Sequence, residues 1–445
     1  MTQVVQIPLW LFVLIVLFAA VTLASHFLFP SVRWFFRRRL ERAVSKLNTR
    51  LTRPIEPFKL ARRHDMIQRL IYDPEVTQAI VDYARKTGVR EDVAFEKAKD
   101  YAREIVPSFS AFAYFGFGIR VARWLATTLY DVRTGEVNDH VLKEVPEDTT
   151  VVFIMNHRSN MDYVLVTYLA AQASALSYAV GEWARVWPLS RLIKSMGAYF
   201  IRRRSRGALY RKVLARYVRM ATMGGVTQAI FPEGGLSLNG KLMPPKLGLL
   251  AYVFEAWEAE GREVAFVPVA INYDRVLEDR VLIAADQRGD RRFGAKISVL
   301  TKFIFRMLWQ RIRGRSRYFG QAGVVFGPPV RLSEYQQPVA LEDLAQDLML
   351  RINAQMPTLA VPAMARIVLD HGPLSEDDVY ARYASLADRP LAEPAEVAVP
   401  RALAHLKKRH LIEKAGDNWS AVAGQGDVLT FYANSIPEDA ACAKS

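Results

Sequence analysis

A histidine and an aspartate five positions apart, His157 and Asp162, are the residues of this chain best suited to chemistry. They follow the apolar run 151–155, which predicts a buried strand. On a continuous helix this spacing would separate the two side chains by about 140°. The pair can therefore meet only if His157 lies in a turn and Asp162 begins the next helix. An aspartate that accepts from one imidazole nitrogen leaves the other free to take a proton from a hydroxyl. The alternative is a structural histidine beside a helix-capping aspartate.

Arginines follow another apolar run, residues 197–201. Arg202 and Arg203 come directly after this predicted strand, and a planar guanidinium can bind two phosphate oxygens at once. For Arg204 and Arg206, a solvated basic face is the better interpretation. The pattern indicates a phosphorylated ligand at Arg202 and Arg203.

An acid followed by two glycines ends the next run, residues 226–231. Gly234 and Gly235 allow the backbone to approach a ligand closely, and Glu233 could hold an acceptor hydroxyl or orient an arginine. Pro268 interrupts a later apolar run and lacks a ladder donor, so it predicts an edge, a bulge or a strand end. Because ligands gather at the carboxyl ends of parallel strands, these segments are expected to share one edge of a sheet.

Composition narrows the function classes. The chain has 445 residues and a formal net charge of +15, which favours anionic partners. Its single cysteine, Cys442, excludes a disulfide framework. The sequence has no G-x-S-x-G, no H-E-x-x-H and no phosphate-binding glycine loop. A hydrolase, a metalloenzyme and a nucleotide-driven enzyme therefore lack their usual motifs, and no metal site is expected.

The N-terminal region predicts a membrane anchor. Residues 7–29 contain no Asp, Glu, Lys or Arg, a length sufficient to span a bilayer. Residues 31–63 then carry eleven basic side chains against two acidic ones, which places the bulk of the chain on the cytoplasmic side. A buried core helix is the alternative. We predict a single-pass anchor over residues 1–30 and contacts of the basic residues with anionic membrane lipids.

Three further regions follow the anchor. Residues 31–135 are expected to be basic and mainly helical, with an aromatic and basic segment at 109–129 that suits a membrane interface or packing on the main domain. Residues 136–335 alternate short apolar runs with helical stretches, which predicts an α/β domain with a mixed, largely parallel sheet flanked by helices. Within it, the basic and aromatic segment 300–317 suits either a membrane-facing helix or a solvated one.

Residues 336–445 are predicted to form a helical C-terminal domain. Ser375 begins a capping box, residues 403–412 read as an amphipathic helix and residues 429–433 as a strand. A winged-helix-like unit is conceivable there. Nucleic-acid binding is not expected, because the local charge is mixed.

Four of the segments above, in this order, resemble blocks I to IV of the glycerophospholipid acyltransferases. The matching residues are His157 to Asp162 for block I (H-x-x-x-x-D), Met-Gly-Ala-Tyr-Phe-Ile-Arg-Arg at 196–203 for block II, Glu-Gly-Gly-Leu-Ser at 233–237 for block III, and Val267-Pro268 for block IV. The resemblance covers roughly residues 130–335. Tyr163 and the double glycine are similar to the glycerol-3-phosphate and dihydroxyacetone-phosphate acyltransferase branch.

The resemblance implies a role for each matching residue. His157 would be the general base and Asp162 its orienting partner. Substrate binding would fall to the residues of the other blocks: Ile201, Arg202 and Arg203, with the arginines on the acceptor phosphate, then Glu233, Gly234, Gly235 and Ser237 in the acceptor pocket, and Pro268. The implied reaction moves a fatty acyl group from acyl-CoA or acyl carrier protein directly to the sn-1 hydroxyl of glycerol 3-phosphate, with no cofactor and no covalent acyl-enzyme.

One departure leaves the acceptor open. The branch typically has two arginines in block III, where this chain has Leu236 and Leu238. Residues 231–234, Phe-Pro-Glu-Gly, are also similar to the 1-acylglycerol-3-phosphate branch, so lysophosphatidic acid is an alternative acceptor. A membrane protein that binds anionic lipid without catalysis is the alternative from another class.

Overall fold

The computed structural model describes residues 8–135, 142–170, 174–181, 189–202, 207–289, 319–335 and 338–437. Several features singled out in the sequence lie outside the described residues: Arg203, Arg204, Arg206, the segment 300–317 and Cys442. The chain divides into two compact units, Met1–Pro54 and Ile55–Ser445. The domain boundaries predicted near residues 30, 135 and 335 stay predictions.

The first unit contains one long helix, α1, Leu9–Asn48. Pro8 immediately precedes it, a position where the missing N–H costs no helical hydrogen bond. Among the residues that the structure describes, no helix has both the length and the apolar character needed to cross a membrane. The anchor over residues 1–30 stays a prediction.

The second unit begins with a helical region, as its sequence predicts. The elements are α2 Pro57–Leu60, α3 Arg63–Ile71, α4 Pro74–Thr87, α5 Glu91–Ile105, a π-helix Phe112–Gly118 and α6 Ile119–Leu129. The segment 109–129 forms the π-helix and α6. The buried Tyr114 hydroxyl accepts a hydrogen bond from the Leu176 backbone N–H (3.1 Å), so one side packs on the main domain. The other side presents Phe112 and Phe117 to the surface, 78% and 54% exposed.

A mixed, largely parallel sheet forms the centre of the second unit, which confirms the predicted fold class. Its strands are β1 Asp131–Thr134, β2 Thr150–Met155, β3 Ser177–Gly181, β4 Tyr199–Ile201, β5 Gln228–Ile230, β6 Val264–Tyr273, β7 Gln321–Phe326 and β8 Val330–Arg331. The order is β1-β7-β6-β2-β5-β3-β4, with β8 also paired to β6. The neighbours from β6 to β4 are parallel, whereas β7 and β8 run antiparallel to β6.

Helices cover both faces of this sheet. They are α7 Met161–Leu169, α8 Leu189–Ser195, α9 Ala208–Met223, α10 Gly248–Glu260 and α11 Asp279–Gln287. Alternate residues of β2 point to opposite faces, so Phe153 belongs to one hydrophobic core and Ile154 to the other. Burial on both faces explains why β2 is a continuous apolar run rather than an alternating one.

Pro268 lies inside β6, so the predicted edge and strand end are wrong, whereas the predicted bulge is present: residues 267 and 268 lie opposite three residues, 327–329, between β7 and β8. On one side it pairs in register with Ile154 of β2. On the other side it falls between the residues that pair with β8 and those that pair with β7. Its carbonyl accepts from the Gly327 N–H (2.8 Å). Because the N–H and C=O of a strand residue face the same neighbour, the missing donor faces this gap and no ladder bond is lost.

The remaining elements are α12 Leu341–Ala354, α13 Ala360–His371, β9 Leu374–Ser375, α14 Glu376–Ala384, α15 Ala395–Lys408, β10 Ile412–Ala415, β11 Asn418–Ala421 and α16 Gly426–Ala433. Strands β9 to β11 form a small antiparallel sheet, and from α13 to β11 the order is that of a winged-helix-like unit. Ser375 caps α14 through the Asp378 N–H, as predicted.

The strand predicted over residues 429–433 is wrong, because these residues belong to α16. Their side chains are almost all buried, and a short apolar run that is buried all round carries no period that separates strand from helix. The amphipathic helix predicted over 403–412 ends earlier, at Lys408, and Ile412 begins β10.

Candidate active site

Asn156 holds the chain where it leaves the sheet. Its side-chain amide donates to the Ile271 carbonyl (2.9 Å), and its side-chain oxygen accepts from the Ile271 N–H (2.8 Å). The side chain therefore continues the pairing of β2 with β6 by one residue. The turn that follows starts from a fixed point at the carboxyl end of the sheet.

His157 and Asp162 meet across the turn between β2 and α7. Nδ1 of His157 lies 2.8 Å from Oδ2 of Asp162, and both side chains are buried. The same oxygen accepts from the backbone N–H groups of Arg158 (2.7 Å) and Ser159 (3.0 Å). The pairing predicted from the spacing is confirmed, whereas the catalytic roles of the two residues stay predictions.

Tyr273 and Glu278 complete this arrangement, and the motifs did not indicate either residue. The Tyr273 hydroxyl donates to Oδ1 of Asp162 (2.5 Å). Glu278 accepts from the Ser159 hydroxyl (2.8 Å) and the Asn160 side-chain amide (3.0 Å), which fixes the turn before α7. Burial raises the pKa of the Glu278 carboxyl. Tyr273 ends β6, so the rule that functional side chains follow parallel strands could have found it.

Two aromatic rings pack against the imidazole of His157. The Phe231 ring centroid lies 4.2 Å from that of His157, and Tyr163 meets it edge-on at 5.4 Å. Because an ionised Asp162 only accepts, Nδ1 carries the proton and Nε2 presents its lone pair. Nε2 makes no hydrogen bond to the residues that the structure describes. A histidine held in this way can act as a general base towards a hydroxyl group.

Glu233 ties the third motif to the first. Its two oxygens accept from the backbone N–H groups of His157 (2.7 Å) and Met243 (3.0 Å). Its side chain is therefore occupied with positioning the His157 turn. Burial raises the pKa of the Glu233 carboxyl to about 7, although the two N–H donors oppose that change. An acceptor hydroxyl on Glu233 stays a prediction.

The raised pKa of Glu233 gives a testable dependence of stability on pH. A carboxyl that holds its proton more tightly in the folded chain favours folding at low pH. This contribution is complete below the ordinary pKa of 4.5 and is lost as the pH rises through about 7. We expect the melting temperature of the wild type to fall more between about pH 5 and pH 8 than that of Glu233→Gln. Thermal unfolding monitored by circular dichroism measures both.

The difference between the two slopes is the informative quantity, since Glu233→Gln also turns a side-chain amide towards one of the two backbone N–H donors and lowers stability at every pH. The other buried acids, Asp274 and Glu278, are present in both proteins, so their contributions to the pH dependence of stability cancel in the comparison. Parallel curves for the two proteins would contradict the raised pKa.

The loop after Glu233 packs back on the histidine turn. The Ser237 N–H donates to the His157 carbonyl (2.9 Å), and the Ser237 hydroxyl donates to the Lys241 carbonyl (2.7 Å) while accepting from the Gly240 N–H (3.0 Å). Gly234 has a left-handed φ of +63°, and a Cβ there would lie 2.8 Å from Cδ of Lys246. Ser237 thus shapes the loop, and Gly234 makes room for a lysine.

Helix α16 closes this loop from the other side. The guanidinium of Arg158 donates to the Gly240 carbonyl (2.6 Å) and lies over the Phe431 ring (5.5 Å to its centroid). The Asn434 amide donates to the Asn239 carbonyl (2.8 Å). Within the described residues, Nε and Nη2 of the buried Arg158 have no hydrogen-bond partner. A helix from the end of the chain therefore touches the residue next to His157.

The structure does not bring every predicted site residue to His157. Arg202 follows β4, three strands from β2, and its guanidinium binds Glu104 (2.6 and 2.9 Å). Ile201 is half-buried at the end of β4, and Pro268 is buried within β6. Gly235 continues the glycine turn beside Gly234. Their binding roles stay predictions, as does that of Arg203, which lies outside the described residues.

An apolar cavity of about 280 Å³ opens beside the histidine turn. Asn160 and Tyr163 line the end nearest His157, and α6, α7 and α8 supply the remaining walls through side chains such as Val121, Leu192 and Met196. Few polar groups face it. Such a cavity suits a hydrocarbon chain.

No cluster of three or more potential metal ligands occurs among the residues that the structure describes.

Comparisons with known proteins agree with the motifs. Residues 136–272 match the family model described as "Acyltransferase". Proteins named glycerol-3-phosphate acyltransferase are among the similar curated sequences. The one from Aeromonas hydrophila is 27% identical over 85% of this chain and 50% of its own, and that from Xanthomonas campestris is 26% identical over 90% and 48%. The one from Ectopseudomonas mendocina is 30% identical over 63% and 33%.

This chain thus spans about half the length, or less, of the curated relatives it matches. A solved 1-acyl-sn-glycerophosphate acyltransferase from Thermotoga maritima is 19% identical and covers 53% of this chain and 74% of its own, with a TM-score of 0.33. The sequence relatives and the family model confirm the resemblance drawn from the four motifs.

Proposed function

From the premise that residues 136–272 form an acyltransferase domain, we propose that this protein transfers a fatty acyl group from a thioester to the sn-1 hydroxyl of glycerol 3-phosphate. The observation that carries the proposal is His157, whose Nδ1 is held by Asp162 while Nε2 is left for a substrate, beside an apolar cavity. The names of the relatives support the choice of acceptor.

The reaction needs one base and no covalent intermediate. Nε2 of His157 takes the proton of the acceptor hydroxyl as its oxygen attacks the thioester carbonyl. Asp162 stabilises the imidazolium that forms, and Tyr273 keeps the aspartate in place. The tetrahedral intermediate then collapses, the carbon–sulfur bond breaks and the imidazolium returns the proton to the leaving thiolate. The products are an acyl ester and a free thiol.

The acyl chain is proposed to occupy the apolar cavity. Tyr163 contacts the His157 ring and also lines this cavity, so a chain that enters there keeps its thioester close to Nε2. Burying methylene groups against Val121, Leu192 and Met196 stabilises the bound donor by about 0.8 kcal/mol for each group.

The acceptor phosphate requires a cation near His157. Leu236 and Leu238, in the positions where the family's arginines stand, pack against the hydrophobic core instead. Lys246 lies over Gly234, in the loop that Glu233 ties to His157. We therefore assign the acceptor phosphate to Lys246. The alternative assignment to Arg202 and Arg203 stays a prediction.

Replacing Lys246 with methionine is expected to raise the KM for glycerol 3-phosphate by about tenfold or more, because a charge-assisted hydrogen bond contributes roughly 1.5–3 kcal/mol. The KM for the acyl donor should change little. Steady-state kinetics with each substrate varied in turn measures both. Lys86→Met, on the exposed end of α4, is the matched control. Equal effects on both substrates would contradict the assignment.

Supplying purified protein with radiolabelled acyl-CoA and one acceptor at a time tests the function itself. Glycerol 3-phosphate should be acylated, and dihydroxyacetone phosphate and lysophosphatidic acid should react more slowly. Consumption of lysophosphatidic acid alone would favour the alternative acceptor. If no acceptor reacts while anionic vesicles still bind the protein, the non-catalytic lipid-binding alternative is correct.

We also propose that the protein works at a membrane, with its catalytic domain on the cytoplasmic side. The charge-free stretch 7–29 and the basic run 31–63 support this location. The exposed rings of Phe112, Phe117 and Trp124 offer a second contact close to the apolar cavity, which Phe117 itself lines. A lipid product formed there could pass directly into a bilayer.

Deleting residues 1–30 is expected to release the protein from membranes only partly. The basic run remains, and each Lys or Arg near an anionic surface contributes about 1 kcal/mol, which salt weakens. The truncated protein should sediment with anionic vesicles at low salt and detach at high salt. Neutral vesicles serve as the control. Binding that depends on neither lipid charge nor salt would contradict the basic contact.

A further inference from the structure

A second cavity, of about 720 Å³, lies at the outer end of the sheet and is polar where the first is apolar. It is bordered by the ends of α5 and β4 and by α8. Five cationic side chains line it, against the two acids Asp100 and Glu104: Arg63, Arg103, Arg191, Lys194 and Arg202. The walls therefore carry an excess of three positive charges, and an anion is the ligand that fits them.

Two of these cations pair with the acids, Arg202 with Glu104 (2.6 Å) and Arg103 with Asp100 (2.9 Å), and backbone carbonyls hold two others. Lys194 donates to the Arg103 carbonyl (2.9 Å), and Arg63 donates to the carbonyls of Arg103 and Val106 at the end of α5. Backbone carbonyls fix the position of a cation while its formal charge remains. The cavity is thus a preformed arrangement of positive charge.

Helix α8 is the wall between the two cavities. Leu192 and Ile193 of this helix, and Met196 directly after it, face the apolar cavity, whereas Arg191 and Lys194 face the basic one. One short helix therefore presents apolar side chains to one cavity and cationic side chains to the other. This division matches a molecule that has a hydrocarbon chain and an anionic end.

The distance to His157 decides which molecule that is. The basic cavity lies at β4, three strands from β2, or about 14 Å at the usual spacing of neighbouring strands. In glycerol 3-phosphate about five covalent bonds join the oxygen of the sn-1 hydroxyl to phosphorus, too few to span such a distance. The pantetheine arm of an acyl thioester can span it, because it separates the thioester from the phosphates by an extended chain.

We propose that the basic cavity binds the phosphate-bearing end of the pantetheine thioester that donates the acyl group. The assignment rests on the acyl transfer proposed above. The thioester carbon lies at His157, the acyl chain runs into the apolar cavity, and the pantetheine arm runs to Arg191 and Lys194 on the far side of α8. The phosphates of coenzyme A and the phosphodiester of a carrier protein share this chemistry.

The double variant Arg191→Glu/Lys194→Gln tests the site in the full chain. We expect the KM for palmitoyl-CoA to rise about tenfold or more, since hydrogen bonds to charged groups contribute on the order of a factor of ten each. The kcat at saturating donor and the KM for glycerol 3-phosphate should stay near wild type. Arg85→Glu/Lys86→Gln, at the exposed end of α4, is the control with the same change of charge.

A donor without phosphate separates this role from a structural one. Palmitoyl N-acetylcysteamine thioester should react equally with wild type and the double variant. The proposal would be overturned if the double variant lost activity with both donors to the same degree. A raised KM for glycerol 3-phosphate, with an unchanged KM for the donor, would also overturn it. Parallel assays with acyl carrier protein show which carrier the site serves: the one whose KM rises.

Calorimetric titration with adenosine 3′,5′-bisphosphate tests the cavity without any catalysis. Binding to wild type that is weakened about tenfold in the double variant would support the site even if no acceptor were ever acylated. Absence of binding to wild type, together with an unchanged KM for palmitoyl-CoA in the variant, would overturn it. The proposal for the basic cavity and the proposal of acyl transfer are thus tested independently of each other.

Discussion

Replacing His157 with alanine is expected to reduce acyl transfer by about 10²–10⁴-fold, the usual contribution of general base catalysis. The side chain is buried, with Nδ1 held by Asp162 at 2.8 Å and Nε2 without a hydrogen-bond partner among the described residues. The loss should fall on kcat rather than on the KM of either substrate. Initial rates at saturating acyl-CoA and glycerol 3-phosphate measure it.

His64→Ala is the matched control, since that histidine is exposed on α3 and makes only a surface contact with Asp65. Its activity should equal that of wild type. Circular dichroism should show both variants folded, because the backbone contacts of His157 with Glu233 and Ser237 do not need the imidazole. Near-normal turnover by His157→Ala would show that another group takes the proton.

Replacing Gly240 with alanine is expected to abolish activity and to destabilise the fold by several kcal/mol, among the largest effects of single substitutions. Gly240 has a left-handed φ of +87°, and a Cβ there would overlap the Phe431 carbonyl oxygen. Helix α16 would have to move away, and the contacts of Gly240 with Arg158 and Ser237 would move with it. Thermal unfolding and acyl transfer measured on one preparation test both parts.

Gly416→Ala separates backbone strain from the overlap. Gly416 also has a left-handed φ, +64°, but a Cβ there would meet nothing within 4 Å. That variant should lose about 1–2 kcal/mol and keep its activity. If the two variants lost stability equally, the overlap with Phe431 would not be what requires glycine at 240.

The sequence predicted the central strand and its histidine because both depend on local signals. A continuous apolar run indicates a buried strand, and a five-residue spacing admits few geometries that pair His157 with Asp162. The motifs did not indicate Tyr273 and Glu278, which lie more than 110 residues further along the chain. These two residues reach the histidine turn because of the register of β6 against β2. That register is a non-local property, and the spacing of residues within a motif does not predict it.

The same limit explains the errors. Pro268 was expected at an edge, a bulge or a strand end because a missing donor is normally costly, and only the pairing of β7 and β8 with β6 reveals that a bulge is the correct alternative. The strand predicted over 429–433 became helix α16 because burial on all sides hides the period. The binding role of Arg202 stays a prediction, and the sequence alone could not place this residue relative to His157, because that distance depends on strand order.

The contact of helix α16 with the loop at Gly240 bears on how the protein is made. Asn434 and Asn239, which this contact joins, are 195 residues apart, and β1 pairs with β7 across a gap of similar length. Contacts so distant in sequence form slowly, and only after both partners have been synthesised. On the ribosome, the histidine turn emerges long before the helix that covers its neighbour. The nascent chain must therefore carry an unfinished, partly apolar cleft until α16 has been synthesised, a period in which chaperones or a nearby lipid surface would protect it from aggregation.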